Sequence, residues 1–366
     1  MKAYRYIYTG LLTALLIGWG CLLMGCSDQA EIGTEQPDSP QPEEPKGEPL
    51  RVASLTRGDG DTDATADPMK GEYVYLFLAA QGETTASSGS VLYKGKNDTS
   101  TGNDITWGAS GALYVKPGHD YEVYGFLPAD EATGTTDPRI SFSGDEVTMN
   151  IYGLDAVAKK EICVVIGANT VGQTITPGVF GYHAPENTEI GYGVDLLADH
   201  LYASAKFQFK VHADYDKLRT IKLKTVELKT ASSMYAKVDA TITLTKGNAN
   251  PITNVVFQDN GSGTVDVELF NNDAGYELKV DETKDLMIYF DPAYKGDLVL
   301  KSTYDVYDKQ GHLLREDCTA ENGLGSVLSS IVRGKQIVIP LTVQPTYIYI
   351  LSESDADWNS PTVSFN

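Results

Sequence analysis

Hydrophobic and polar residues alternate along much of this chain with the period of two that is typical of β-strands. In the segment 205–211, Ala, Phe, Phe and Val alternate with Lys and Gln. The segment 237–244 repeats the pattern with Val, Ala, Ile and Leu against Lys, Asp and Thr. Each segment therefore predicts a strand with one face in a core and the other in solvent, as in an antiparallel sheet.

Further strands are predicted wherever short apolar runs are bounded by Gly, Pro, Asn or Asp. They are 50–56, 72–80, 91–94, 112–115, 121–127, 146–151, 162–167, 221–228 with a bulge between Leu223 and Val226, 265–269, 286–290 and 298–307. Only 154–160 and 324–332 suggest short helical segments. This order favours an all-β chain of two tandem antiparallel β-sandwiches, transthyretin-like or Ig-like, over βαβ units.

The C-terminal segment is apolar on both faces. After a strand at 337–343, Tyr347, Tyr349 and Leu351 point one way while Ile348 and Ile350 point the other. A strand without a polar face must be covered on both sides, by its own domain or by another chain.

The N-terminus predicts export. Lys and Arg precede an apolar stretch, 11–24, which is followed directly by Cys26, the order of a secretory signal. The stretch is short for a membrane span. It resembles a bacterial lipoprotein signal, in which Cys26 becomes the lipidated first residue, and Ser27-Asp28 resembles the export signal of surface lipoproteins in Bacteroidetes. An ordinary signal and a retained anchor are the alternatives.

Length and composition then suggest the domain plan. The 366 residues suffice for two domains. The predicted order is a signal peptide at 1–25, a proline-rich acidic tether at 26–49, an N-terminal sandwich at 50–195 and a C-terminal sandwich at 196–366. The net charge of −21 argues against nucleic acid as a partner, because phosphate binding needs a basic face.

Catalytic and metal-binding patterns were sought and none was convincing. The five His show no paired metal spacing, and no nucleophile elbow or phosphate-binding loop appears. The loop 59–70 has Asp at calcium-loop spacings, but Ala64 and Lys70 replace the required Gly and Glu. Cys163 lies in an apolar run and is interpreted as a small core residue. We therefore expect no enzyme, no cofactor and no metal.

Taken together, these features resemble the fimbrillins, subunits of the type V pili of Bacteroidetes. The resemblance rests on the signal ending at Cys26, an arginine-terminated first strand before a loop, the strand at 205–211, and the ending 339–350 with Trp358. It implies a surface-exposed outer-membrane lipoprotein, held by lipid on Cys26, that takes part in cell adhesion.

The resemblance also implies how such a subunit would assemble. An Arg-specific protease would cut after Arg57, with Arg51 as a second candidate, and strand 50–56 would leave. The C-terminal strand of another subunit, formed by Tyr347, Ile348, Tyr349, Ile350 and Leu351, would then fill the groove. Residues 363–365 are an alternative donor. Head-to-tail contacts of this kind build a filament.

The sequence leaves open both the position of the subunit in a pilus and a rival function. The subunit could form the stalk, the anchor or the tip of a pilus, and a tip subunit could bind a host or bacterial surface ligand. A surface glycan-binding lipoprotein is the rival function. It would require exposed aromatic platforms, and the mature chain offers only Trp107 and Trp358 besides its Tyr residues.

Overall fold

The structure is a computed structural model, and it describes residues 47–57, 69–94, 105–187, 191–230, 234–292, 298–328, 331–344 and 348–350. Within these ranges the chain is nearly all β-structure. No helix in the described ranges is both long enough and apolar enough to cross a membrane.

The described strands run from Glu48 to Ile350. They are β1 Glu48–Arg57, β2 Tyr73–Ala80, β3 Ser87–Leu92, β4 Tyr114–Val115, β5 Asp120–Leu127, β6 Arg139–Ser143, β7 Glu146–Asp155, β8 Val157–Ala158, β9 Cys163–Thr170, β10 Gly181–His183, β11 Tyr192–His200, β12 Ala203–Val211, β13 Thr220–Thr230, β14 Met234–Tyr235, β15 Lys237–Thr245, β16 Ile252–Asp259, β17 Ser262–Gly263, β18 Asp266–Glu277, β19 Lys284–Phe290, β20 Leu298–Tyr307, β21 Leu313–Gly323, β22 Gln336–Val343 and β23 Ile348–Ile350. The helices are short: a 3-10 turn at Ala129–Glu131, α1 at Ala213–Asp216 and α2 at Gly325–Leu328.

The strands form one large sheet and several smaller ones. The large sheet has the order β3-β2-β5-β9-β11-β1-β4, with β10 added beside β5. The others have the orders β23-β22-β12-β19-β8, β18-β13-β20-β21 and β16-β15-β7-β6, and β14 pairs with β17. Most neighbours are antiparallel, but β1 pairs parallel with β11, and β12 pairs parallel with β22.

The large sheet is buried on both faces because its strands carry apolar residues at successive positions. In β2, Tyr75 and Phe77 belong to one apolar cluster, while Val74, Leu76 and Leu78 belong to another. The first cluster continues through β7, β12, β13, β15, β20 and β22. The second lies on the opposite face and includes residues of β1, β9 and β11. Strand β1 is therefore part of a core, even though it follows the predicted tether directly.

The structure confirms the all-β fold and corrects several local predictions. Residues 154–160, predicted as a helical turn, lie in the end of β7 and in β8. The predicted bulge between Leu223 and Val226 is present as a register shift in β13. Strands β11, β16 and β21 lie in segments where no strand was predicted. The first is buried on both faces and the other two are largely exposed, so none shows the clean alternation of a half-buried strand.

The predicted boundary at 195/196 falls inside strand β11. Strands β7 and β15, which come from opposite sides of that position, also pair in one antiparallel sheet. The apolar cluster that contains Tyr75 likewise contains Phe207. A division of the chain at 195 would therefore cut a paired strand, and the two halves share both a sheet and a core.

Candidate functional site

Strand β1 runs along β11 in the large sheet, and its first residues also pair with β4. It pairs parallel with β11 from Leu50 opposite Tyr192 to Arg57 opposite Ala198. At its start, Glu48 pairs antiparallel with Val115 of β4. The amide of Leu50 also donates a hydrogen bond of 2.9 Å to the carbonyl of Leu113. Removing β1 would therefore expose unpaired backbone groups along β11.

A bulge in β1 lets three of its apolar side chains share one core. The register against β11 shifts between Val52 and Ser54, which changes the parity of the strand. Leu50, Val52 and Leu55 therefore all join the same buried cluster, at 0%, 9% and 9% exposure. Burying three such side chains contributes about 5–9 kcal/mol as an upper estimate, at about 1.5–3 kcal/mol each.

Polar contacts fix the register of β1. The hydroxyl of Ser54 donates to Oδ1 of Asp195, a carboxylate that is 4% exposed. The amide of Gly172 donates to the other oxygen, Oδ2, at 3.0 Å. The amide of Leu55 donates to the hydroxyl of Tyr93 at 3.3 Å. A strand that replaced β1 would have to replace the hydrogen bonds that Ser54 and Leu55 make to Asp195 and Tyr93.

The core below β1 also contains a buried phenol. Burial raises the pKa of Tyr182 above its ordinary value, and the nearby Tyr192 and Tyr121 raise it further. The Tyr182 hydroxyl has no hydrogen-bond partner among the described residues. The lining of the groove that β1 occupies is therefore apolar and uncharged at this point.

The two predicted cleavage sites differ in their surroundings. Arg51 lies within the paired part of β1, opposite Gly193. An added Cβ at Gly191 would lie 3.3 Å from the Arg51 guanidinium carbon, so the Arg51 side chain packs closely over this glycine. Arg57 is the last residue of β1.

The predicted donor strand is partly described. Ile348, Tyr349 and Ile350 form β23, which pairs antiparallel with β22 from Val343 to Leu341. This strand stands at the end of its sheet, so among the described residues only one of its edges has a neighbour. Tyr347, Leu351, Cys26, Trp358 and the aspartates of the predicted acidic loop lie outside the described residues.

A surface cleft of about 440 Å³ lies elsewhere on the chain. It is lined by Ile252, Thr253, Asn254, Val255, Phe257, Pro292, Ile331, Val332 and Arg333. This lining contains no carboxylate, imidazole or thiol. Paired acid–base chemistry, which would need two converging ionisable groups, has no candidate residues in this cleft.

Sequence reasoning missed one group of side chains with metal-binding atoms. Glu161, Cys163 and His200 are all buried, and one metal-binding atom from each lies within 4.8 Å of the other two. The spacing of Glu161 and Cys163 could have suggested that both lie on one face, but their approach to His200 depends on strand pairing. Cys163 and Cys318 do not form a disulfide with each other.

No family model and no curated protein matches this chain. Among solved structures, one described as a candidate cell adhesion protein of Bacteroides uniformis has a TM-score of 0.40 at 12% identity, covering 86% of this chain and 100% of that one. A fimbrial protein of Bacteroides vulgatus has a TM-score of 0.35 at 13% identity, covering 83% and 98%. A structure from Bacteroides thetaiotaomicron, described as candidate polysaccharide-binding proteins, has a TM-score of 0.35 at 10% identity, covering 83% and 94%.

At these identities and TM-scores, no conclusion about this chain follows from the likeness.

Proposed function

We propose that this chain is a structural subunit of a surface fimbria that polymerises by strand exchange after proteolytic loss of β1 and serves cell adhesion. In this proposal the lipid on Cys26 first holds the precursor at the outer membrane. Other fimbrial subunits are the partners, and the chain has no catalytic role.

The observation that carries the proposal is the position of β1. A strand that follows the predicted tether directly pairs with β11, buries Leu50, Val52 and Leu55, and ends at an arginine. Its loss would leave an open ladder on β11 and an apolar groove of matching length. A strand from a second subunit could restore both the hydrogen bonds and the buried surface.

The surroundings of the two arginines favour cleavage after Arg57. A protease needs an accessible backbone, and Arg51 lies inside the β1–β11 ladder, with the paired residues Leu50 and Val52 on either side of it. Arg57 ends the ladder, so a cut after it releases the entire strand as one piece. Cleavage after Arg51 would leave Ser54 and Leu55 in place.

The C-terminal strand is the proposed donor because its sequence is apolar on both faces. It needs cover on both sides, and the groove left by β1 would cover one of them with the apolar cluster that Leu50, Val52 and Leu55 join. Among the described residues, strand β23 stands at a sheet edge and pairs with β22 over Ile348–Ile350. Detaching this part of it would break the hydrogen bonds along one edge.

The rival function, glycan binding, would use aromatic side chains on an open face. Trp107 instead packs, half-buried, against the apolar cluster that includes β1, and its indole nitrogen is buried. Part of this ring is therefore covered by the protein and is not available for stacking on a sugar. This observation favours the fimbrial proposal over the rival.

The deciding experiment is N-terminal mass spectrometry of the protein in surface material sheared from native cells. A chain beginning at Gly58 is expected, since cleavage after Arg57 precedes assembly. The variant Arg57→Ala should stay full-length and be lost from high-mass polymers, while Arg51→Ala, the matched control, should be processed and assemble normally.

Deletion of residues 346–366 tests the donor separately. The deleted chain should be cleaved at Arg57 but should not polymerise with itself. Recovery of sheared polymers composed of chains that begin at lipidated Cys26 and retain β1 would overturn the proposal.

A further inference from the structure

Three side chains with metal-binding atoms converge at one end of the β9–β11 ladder. Cys163, the first residue of β9, lies opposite His200, the last residue of β11. Glu161 precedes Cys163 by two residues, a spacing that places both on one side of an extended chain. One oxygen of Glu161, the Cys163 sulfur and one ring nitrogen of His200 lie within 4.8 Å of one another.

This group is deeply buried in apolar surroundings. Cys163 is 0% exposed, His200 3% and Glu161 6%. Ile162 and Leu201, which neighbour these residues in sequence, are fully buried and bonded to each other through the Leu201 amide and the Ile162 carbonyl at 2.8 Å. Burying a carboxylate in such a place is costly unless a cation balances it. The imidazole of His200 contacts Glu161, and the Cys163 sulfur lies within 4.8 Å of the donor atoms of both residues.

We propose that Glu161, Cys163 and His200 bind one Zn²⁺ ion. Thiolate, imidazole and carboxylate are the ligands that Zn²⁺ takes in proteins, at about 2.3, 2.0–2.1 and 2.0–2.2 Å respectively. Three donor atoms that lie within 4.8 Å of one another can reach these distances around a single ion with small side-chain movements. The second oxygen of Glu161 or a water molecule supplies the fourth ligand.

The surroundings hold the His200 backbone and ring in place. Arg333 donates to the His200 carbonyl, and its Nη1 lies 2.9 Å from Oδ2 of Asp199. The amide of Gly334 donates to the Tyr202 carbonyl at 2.9 Å, and an added Cβ at Gly334 would lie 4.0 Å from the imidazole Cδ2. These contacts fix the backbone from which the His200 ring reaches Glu161 and Cys163.

The consequence of this site is structural. The ion would fasten the start of β9 to the end of β11, the strand against which β1 is paired. Because the ligands are buried, metal uptake would be coupled to folding, and the bound ion would stabilise the folded chain. The inference does not depend on the proposed fimbrial role.

The test is metal binding by the purified full chain after stripping with a chelator. Native mass spectrometry is expected to show one tightly held Zn²⁺ per chain, and Zn²⁺ is expected to raise the melting temperature while EDTA lowers it. Co²⁺ should give the near-ultraviolet charge-transfer band of a cobalt–thiolate bond.

Cys163→Ser should abolish the cobalt–thiolate band and weaken Zn²⁺ binding at least tenfold. The control is Cys318→Ser, which removes the other free thiol in the described part of the chain and should leave both signals unchanged. If Cys163→Ser does not fold, the inference is tested on the unaltered chain, by the change of melting temperature with EDTA and by the Co²⁺ band. Zn²⁺ binding that survives Cys163→Ser, or an unaltered chain without a thiolate band, would overturn the inference.

Discussion

Replacing Leu50 with alanine tests whether β1 is held as the structure shows. Leu50 is 0% exposed and lies opposite Tyr192 in the large sheet. Removing a buried leucine side chain costs about 2–5 kcal/mol, because transfer free energy is lost and a cavity remains. Since the backbone of Leu50 stays hydrogen-bonded to Leu113, we expect the middle of this range, about 3 kcal/mol.

The same substitution should loosen β1 after cleavage. In a chain cut at Arg57, β1 is retained by its contacts alone, and a loss of about 3 kcal/mol weakens retention about 100-fold at about 1.4 kcal/mol per tenfold change. Equilibrium unfolding in guanidinium, followed by circular dichroism, measures the free energy of unfolding of the uncut chain. Retention of the N-terminal fragment that ends at Arg57, followed by gel filtration, measures the second effect.

Thr56→Ala is the matched control, because Thr56 lies in the same strand but is exposed. It should change the free energy of unfolding by no more than about 0.5 kcal/mol. If Leu50→Ala costs less than about 1 kcal/mol, or if Thr56→Ala costs as much as Leu50→Ala, then the burial of β1 in this core is wrong.

Two further predictions concern packing and buried hydroxyls. Gly125→Ala should cost about 3 kcal/mol or more in thermal or chemical unfolding, because the added Cβ would lie 2.3 Å from the carbonyl oxygen of Tyr75. Gly323→Ala, with nothing within 4 Å of its Cβ, should instead be neutral or stabilising by about 0.5 kcal/mol; equal losses would contradict the β2–β5 packing. Tyr182→Phe removes a buried hydroxyl without a partner in the described residues and should not lower the free energy of unfolding. Tyr124→Phe removes the hydroxyl that donates a 2.8 Å hydrogen bond to the Glu122 carboxylate, and it should lower the free energy of unfolding by about 1.5–3 kcal/mol. A larger loss in Tyr182→Phe than in Tyr124→Phe would contradict these hydrogen-bond assignments.

The alternation of side chains was enough to find most strands and to say which residues face a core. Phe207 and Phe209 are fully buried, as their period-two pattern predicts. The bulge after Leu223 was also predicted, because the apolar residues change there from odd-numbered to even-numbered positions. Alternation and a change of parity are properties of one segment, so they can be predicted without knowing which strand lies beside it.

The partners of the strands were decided only by the tertiary structure. The sequence near Leu50 predicts a strand. No residue pattern within that segment predicts its parallel pairing with Tyr192–His200, where no strand was predicted. The meeting of Cys163 with His200 has the same origin, since it depends on the register of β9 against β11. Alternation determines which face a residue occupies, whereas the neighbour across the ladder is set by packing between distant segments.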